Sequence, residues 1–192
     1  MEKLRNQNRA LIIGAGPSVW LNIDQAPDFD GVILVVDRML VPCIQKGIIP
    51  DYIISIEQGG EAVMPDLFPE KFLAPYKDKI KMLYTHRTLK WVINHFEKLG
   101  IKSEKWDSAY GEFVSNVGLQ CVRYAIEKLH LNEIVFIGFN HTEYYKRYIN
   151  DFNRCVDDHK DVKFINCTGG GSLYLAPIIK GELKDWLNTK KS

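Results

Sequence analysis

The chain has 192 residues, a formal net charge of +1, 46% hydrophobic and 26% charged residues. That balance excludes a disordered chain and predicts one globular domain over 1–192 with a proper core. It offers no basic face for nucleic acid, and no run approaches the roughly 20 apolar residues that span a bilayer.

In chain order, the first strand is predicted over 10–14 (Ala10-Leu11-Ile12-Ile13-Gly14), followed by Ala15-Gly16-Pro17-Ser18. Glycines permit a sharp turn, and Pro17 suits the first position of a helix. A strand, a tight turn and a helix N-terminus together make a place where phosphates bind. Further strands are expected over 31–37, 51–57, 80–85, 134–140 and 162–168. Several are almost continuously apolar, as strands buried on both faces require. A short helix over 38–46 carries Pro42, and better ones follow. Over 88–99, Leu89, Val92, Ile93, Phe96 and Leu99 recur at three and four, with Gly100 as the stop. Residues 116–130 form a second apolar stripe, 142–156 a weaker one, and 181–188 a C-terminal helix. Segments 58–79 and 100–115 fit no regular element and are candidate binding loops, the second carrying Tyr110. The expected fold class is therefore α/β, a doubly wound, mainly parallel sheet of about six strands with helices on both faces and a core over 10–172.

In such sheets ligands bind outside the carboxyl ends of the strands. Those ends carry Gly14 to Ser18, then Asp37, then Glu57, then His86 and Arg87, then Asn140 and His141, then Thr168, Gly169, Gly170, Gly171 and Ser172. Asp37 lies where an acidic side chain accepts both hydroxyls of a ribose, and equally where it would cap the next helix. Glu57 is a candidate base or metal ligand. The glycine run flanked by Thr168 and Ser172 suits a backbone nest for an anion. Asn116, Val117 and Gly118 open the best helix, with Ser115 or Asn116 as its cap. The four cysteines, Cys43, Cys121, Cys155 and Cys167, have no metal-like spacing and are expected as reduced thiols. With no apolar leader, the chain is expected in the cytoplasm.

Gly14-Ala15-Gly16-Pro17-Ser18, Gly47-Ile48-Ile49-Pro50-Asp51-Tyr52, Ser115-Asn116-Val117-Gly118, Ile137-Gly138-Phe139-Asn140 and Asn166-Cys167-Thr168-Gly169-Gly170-Gly171 occur in one order. This order resembles the MptE-like group, which includes an archaeal hydroxymethyl-dihydropterin pyrophosphokinase and the central part of bacterial motility accessory factors. It is also similar to bacterial sialyltransferases that open with a Gly-x-Gly-Pro-Ser strand end. The resemblance implies a Rossmann-like fold and transfer from a nucleotide donor. That donor is ATP with Mg2+ and a pterin alcohol as acceptor in the pyrophosphokinase, and a CMP-sugar without metal in the sialyltransferases. By position it implies that Gly14, Ala15, Gly16, Pro17 and Ser18 hold donor phosphates and that Asp37 or a neighbour meets the ribose or base. Asn116 to Gly118 and Thr168 to Gly170 would complete the pocket.

Two positions depart from the group's pattern, which usually has aspartate where Glu57 and Asn140 stand. Asparagine offers magnesium only a neutral oxygen. Three readings follow. The first is a diphosphokinase-like transferase, with Glu57 and Asp51 at the metal, Glu57, Asn140 and His141 catalytic, and His86, Arg87 and Tyr110 at the substrate. The second is a CMP-sugar glycosyltransferase with a histidine base. The third is a nucleotide-binding protein without catalysis. A NAD-dependent oxidoreductase fits less well, because Val19 breaks its glycine fingerprint. The expected partners are a small nucleotide and an acceptor, with a homo-oligomer left open.

Overall fold

The computed structural model describes residues 8–56, 67–107, 116–140, 146–170, 173 and 178–187. Glu57, Tyr110, Ser115, His141, Gly171 and Ser172 lie outside the described residues. The strands are β1 (Arg9–Ile13), β2 (Val32–Val36), β3 (Tyr52–Ser55), β4 (Lys81–Tyr84), β5 (Lys102–Lys105), β6 (Glu133–Ile137), β7 (Lys163–Asn166) and β8 (Ile179–Lys180). They form one eight-stranded sheet in the order β5-β4-β3-β2-β1-β6-β7-β8, with every pairing parallel. The α/β, Rossmann-like class stands, with eight strands in place of about six.

The two additional strands are the two edges. An edge strand has one neighbour and wet flanks, so it carries no apolar run. β5 is Lys102-Ser103-Glu104-Lys105, with both lysines exposed, and β8 is two exposed residues. Charge on an edge also discourages pairing with another chain. The interior strands behave oppositely: all five residues of β1 are buried, and so are four of the five in β2 and in β6.

The helices are α1 (Leu40–Gln45), α2 (Glu70–Leu73), α3 (Lys90–Lys98), α4 (Val117–Arg123) and α5 (Lys146–Asp158). α4 continues as a π-helical turn over Tyr124–Lys128 and lies across β1, β2 and β3. The segment after the first turn is 3-10 helix, over Pro17–Leu21 and again over Ile23–Asp28. The helix expected after the first turn, with Pro17 at its start, is therefore of the tighter 3-10 kind and not α. A further 3-10 turn spans Leu183–Trp186.

The amino ends of the strands are cross-linked by charge. Arg9 is buried and pairs with Asp30 and Glu133, each at 2.8 Å. It also donates to the carbonyl of Trp186 and lies 4.5 Å over the Phe29 ring. Asp51 stands at this end too. Its carboxylate accepts the Ile33 amide at 2.8 Å, just before β3 begins. The expected metal contact at Asp51 is therefore corrected: its side chain ties β3 to β2 at the rim opposite the one where ligands bind.

Candidate functional site

After β1 the chain winds outward through β2 to β5, then returns to place β6 on the other side of β1. The connections leave β1 and β6 in opposite directions, which opens a crevice at their carboxyl ends. A cleft of about 580 Å³ lies there. Its walls are the turn of Gly14 to Pro17, the end of β2 with Val36, Asp37 and Arg38, the start of α4 with Asn116, Val117 and Gly118, and Gly138, Phe139 and Asn140 after β6. Tyr148 of α5 completes it. A volume of roughly 300–1,000 Å³ suits a small-molecule ligand.

The turn after β1 is pressed against the end of β6. The Gly14 amide donates to the Ile137 carbonyl at 2.9 Å, and that of Gly16 to the Gly138 carbonyl at 2.7 Å. A Cβ on Gly16 would sit 2.5 Å from the Gly138 carbonyl oxygen and 2.6 Å from Asn140 Oδ1. One on Gly138, whose φ is +72°, would sit 2.3 Å from the Gly14 oxygen. The glycines are thus required by two chain segments that touch, and their amides are spent on that contact. Ala15 N–H is the amide of this turn left without a partner among the described residues.

Ser18 and Asn140 close the turn. The Ser18 amide donates to Asn140 Oδ1 at 2.9 Å, and the Ser18 hydroxyl donates to the same oxygen. An amide N–H can only donate, so the atom facing it is the carboxamide oxygen, and the NH2 is turned away. Asn140 Nδ2 has no partner among the described residues, and Gly170 passes beside it. A carboxamide oxygen therefore holds the Ser18 position expected for a donor phosphate.

Across the cleft, Asp37 is buried. Its carboxylate accepts the Arg38 amide at 2.9 Å and the Ser55 hydroxyl at 3.2 Å. It braces the chain after β2 while still lining the cleft. Asn116 caps α4, its Oδ1 accepting the Leu119 amide at 2.9 Å. Its buried Nδ2 has no hydrogen-bond partner among the described residues and sits in the cleft wall. Gly118 is small because a Cβ there would lie 2.9 Å from the Phe139 ring.

Other expected site residues lie elsewhere. The Thr168 hydroxyl is fully buried and accepts the Phe139 amide at 3.2 Å, so it holds β6 to β7 and does not line the cleft. Gly169 and Gly170 border a separate hollow of about 280 Å³ with Asn166, Lys180 and Gly181. His86 and Arg87 follow β4, on the same rim but beyond β3, outside the cleft. The His86 ring and amide both meet Asp107 at 2.9 Å. Partial burial raises the Asp107 carboxyl, but hydrogen bonds from His86 and Lys105, with the Lys105 charge, outweigh it and hold it below its ordinary value. The four cysteines are buried free thiols. Burial pushes Cys43, Cys155 and Cys167 up to about 12, so they are protonated and poor nucleophiles.

Phe139, Tyr148, Arg38 and Ser55 were not among the expected site residues. Arg38 and Phe139 each follow a strand end by one or two positions, which is the signal that could have found them. Tyr148 reads only as part of an apolar stripe, and Ser55 only as strand interior.

Magnesium, which the resemblance implies, can be tested against this rim. Among the described residues the cleft supplies one carboxylate, Asp37, already holding an amide and a hydroxyl, and a carboxamide whose oxygen is committed to Ser18. No group of three His, Cys, Asp or Glu side chains suited to a metal occurs among the described residues. These residues do not fit a protein-held magnesium, a hard cation that seeks oxygens.

Residues 1–146 match the family described as 6-hydroxymethylpterin diphosphokinase MptE-like. The chain belongs to the MptE-like family. A diphosphokinase is a transferase, and that class fits a cleft at the switch point. No curated protein matches the MptE-like chain in sequence. Among solved structures it is similar to the MAf glycosyltransferase from Magnetospirillum magneticum AMB-1, with a TM-score of 0.65 at 14% identity. That match covers 92% of this chain and 34% of the glycosyltransferase, so the chain spans about a third of that protein. A thiamine pyrophosphokinase from Bacillus subtilis matches more loosely, with a TM-score of 0.44, 16% identity, and 81% and 58% of the two chains covered. At 14% identity the likeness to the glycosyltransferase shows the fold alone. Among the described residues, no helix is long and apolar enough to cross a membrane.

Proposed function

We propose that this MptE-like chain is a nucleotide-dependent transferase that holds its donor in the cleft between the ends of β2, β1 and β6. The observation that carries this reading is the cleft itself. A buried carboxylate, Asp37, lies on one wall, and hydrogen-bond donors from Ala15, Asn116 and Asn140 lie on the others. Asp37 accepts the ribose hydroxyls, and the donors meet the phosphates.

The leading form is diphosphoryl transfer from ATP to a small hydroxylated, pterin-like acceptor. The acceptor hydroxyl oxygen attacks the β-phosphorus, and the bond from that phosphorus to the α,β-bridging oxygen breaks. AMP leaves, and the hydroxyl proton passes to a base, for which His141 is the candidate. The chain's share of the catalysis is positioning and electrostatic. A second form, glycosyl transfer from a CMP-sugar, is favoured by Asn140, which brings a neutral carboxamide to the cleft wall where a carboxylate would gather a cation.

Calorimetric titration with ATP and with CMP tests the proposal. Binding of at least one is expected, weakened about tenfold by Asp37→Asn, because hydrogen bonds to a charged group contribute about 1.5–3 kcal/mol each. Flat titrations with both ligands, or an Asp37→Asn variant that binds as tightly as the parent, would sink it.

A further inference from the structure

The polar groups left over in the cleft are mostly of one kind. Asn140 has given its oxygen to the Ser18 amide and hydroxyl, and its NH2 has no hydrogen-bond partner among the described residues. Asn116 has given its oxygen to the Leu119 amide, leaving a buried NH2 in the cleft wall with no hydrogen-bond partner among the described residues. Ala15 N–H is unpartnered among the described residues, and Arg38 brings a guanidinium. Opposite them stands the carboxylate of Asp37, the one carboxylate that lines the cleft among the described residues. Donors attract the oxygens of an anion and repel a cation placed at the same point.

We propose that Asn140 makes this a site for the metal-free phosphate of a nucleotide: the phosphate is held by N–H donors, and magnesium does not strengthen binding. This rests on the nucleotide reading above and goes beyond it by fixing the ionic form of the ligand. The specificity resides in one atom. Replacing Nδ2 by a carboxylate oxygen leaves Oδ1 free to accept both Ser18 bonds, so the turn keeps its shape. The outward atom changes from donor to charged acceptor. Phosphate is then repelled unless a cation sits between the two.

The test is titration of ATP and of CMP into the parent and the Asn140→Asp variant, each with EDTA and with magnesium. In the parent, affinity is expected to differ by less than about threefold between the two conditions. In Asn140→Asp, affinity in EDTA is expected to fall by about tenfold or more and to recover on adding magnesium, as the loss of a charge-assisted hydrogen bond implies. Circular dichroism and thermal melting of the variant check that it is folded. A parent that binds about tenfold more tightly with magnesium overturns the inference and leaves the nucleotide site standing. An Asn140→Asp variant indistinguishable from the parent removes Asn140 as the determinant. Absence of binding in every condition overturns this inference and the proposed function together.

Discussion

The two rims of the sheet use similar residues to opposite ends. At the amino rim, Arg9 is enclosed by Asp30, Glu133, Phe29 and the Trp186 carbonyl, and Asp51 is bound to the Ile33 amide. There the charges tie strands together. At the carboxyl rim, Asp37, Asn116 and Asn140 each satisfy one backbone segment and still face a cleft. The contrast teaches that residue type does not separate scaffold from site. What separates them is whether a polar group has hydrogen-bonding capacity left over after the fold is made.

The largest break in that contrast is expected from Arg9→Met. Removing one partner of a buried ionic cluster costs about 3–5 kcal/mol, because the remaining charges stay desolvated. Urea unfolding is expected to show that loss, with nucleotide affinity per folded molecule unchanged. A loss under about 1 kcal/mol would make the cluster incidental.

Next is Gly138→Ala, where overpacking at about 1–3 kcal/mol adds to left-handed strain of about 1–2 kcal/mol. Gly47 is the control. Its φ is +76° with nothing within 4 Å of a Cβ, so Gly47→Ala should lose only about 1 kcal/mol. Gly138→Ala should also weaken nucleotide binding, since it pushes apart the turn and the end of β6. Equal losses at the two glycines would refute the close-contact account.

A paired exchange sharpens the comparison further. Asp37→Asn should weaken nucleotide binding and also lose about 1 kcal/mol of stability, because one of the two oxygens that accept the Arg38 amide and the Ser55 hydroxyl becomes a donor. Asp51→Asn should lose about 1 kcal/mol of stability, the net value of a typical hydrogen bond, and leave binding alone. Reversal of the two binding outcomes would exchange the roles assigned to the rims.

The smallest effect is a pH dependence. The folded carboxyl of Asp107 is lowered, so its contribution is present above its ordinary value and lost as pH falls through the folded value. Asp107→Asn should therefore lower stability slightly at neutral pH and abolish the further small loss that the parent shows in acid. A variant equally acid-sensitive would show that the lowered carboxyl contributes nothing.

Much of the fold was legible because buried parallel strands carry near-continuous apolar runs, as β2 does and as β1 and β6 do after their first residues, Arg9 and Glu133. The edges were not, because β5 and β8 bury too little to need such a run. The rim was legible as a place, since strand ends deliver Gly14 to Ser18, Asp37 and Asn140 to it. The use of those residues was not. Adjacent glycines read the same whether backbone must approach a phosphate or another strand, and only the Gly14–Gly138 contact distinguishes the two. Asp51 reads in the sequence as part of a strand that ends at a ligand site, yet it precedes β3 and so stands at the amino rim. His86 and Arg87 fall outside the cleft because strand order, which decides neighbours, is a property of the whole chain.

The ladder between β1 and β6 pairs Ile13 with Ile137, across most of the chain. Contacts so distant in sequence form late and slowly. On the ribosome the first five strands can emerge and pair before any pocket exists, because both walls that meet at Asn140 require β6. Competence to bind would thus appear in a single late event during synthesis, and a truncated chain ending before β6 would carry the Gly14 turn without a partner to shape it.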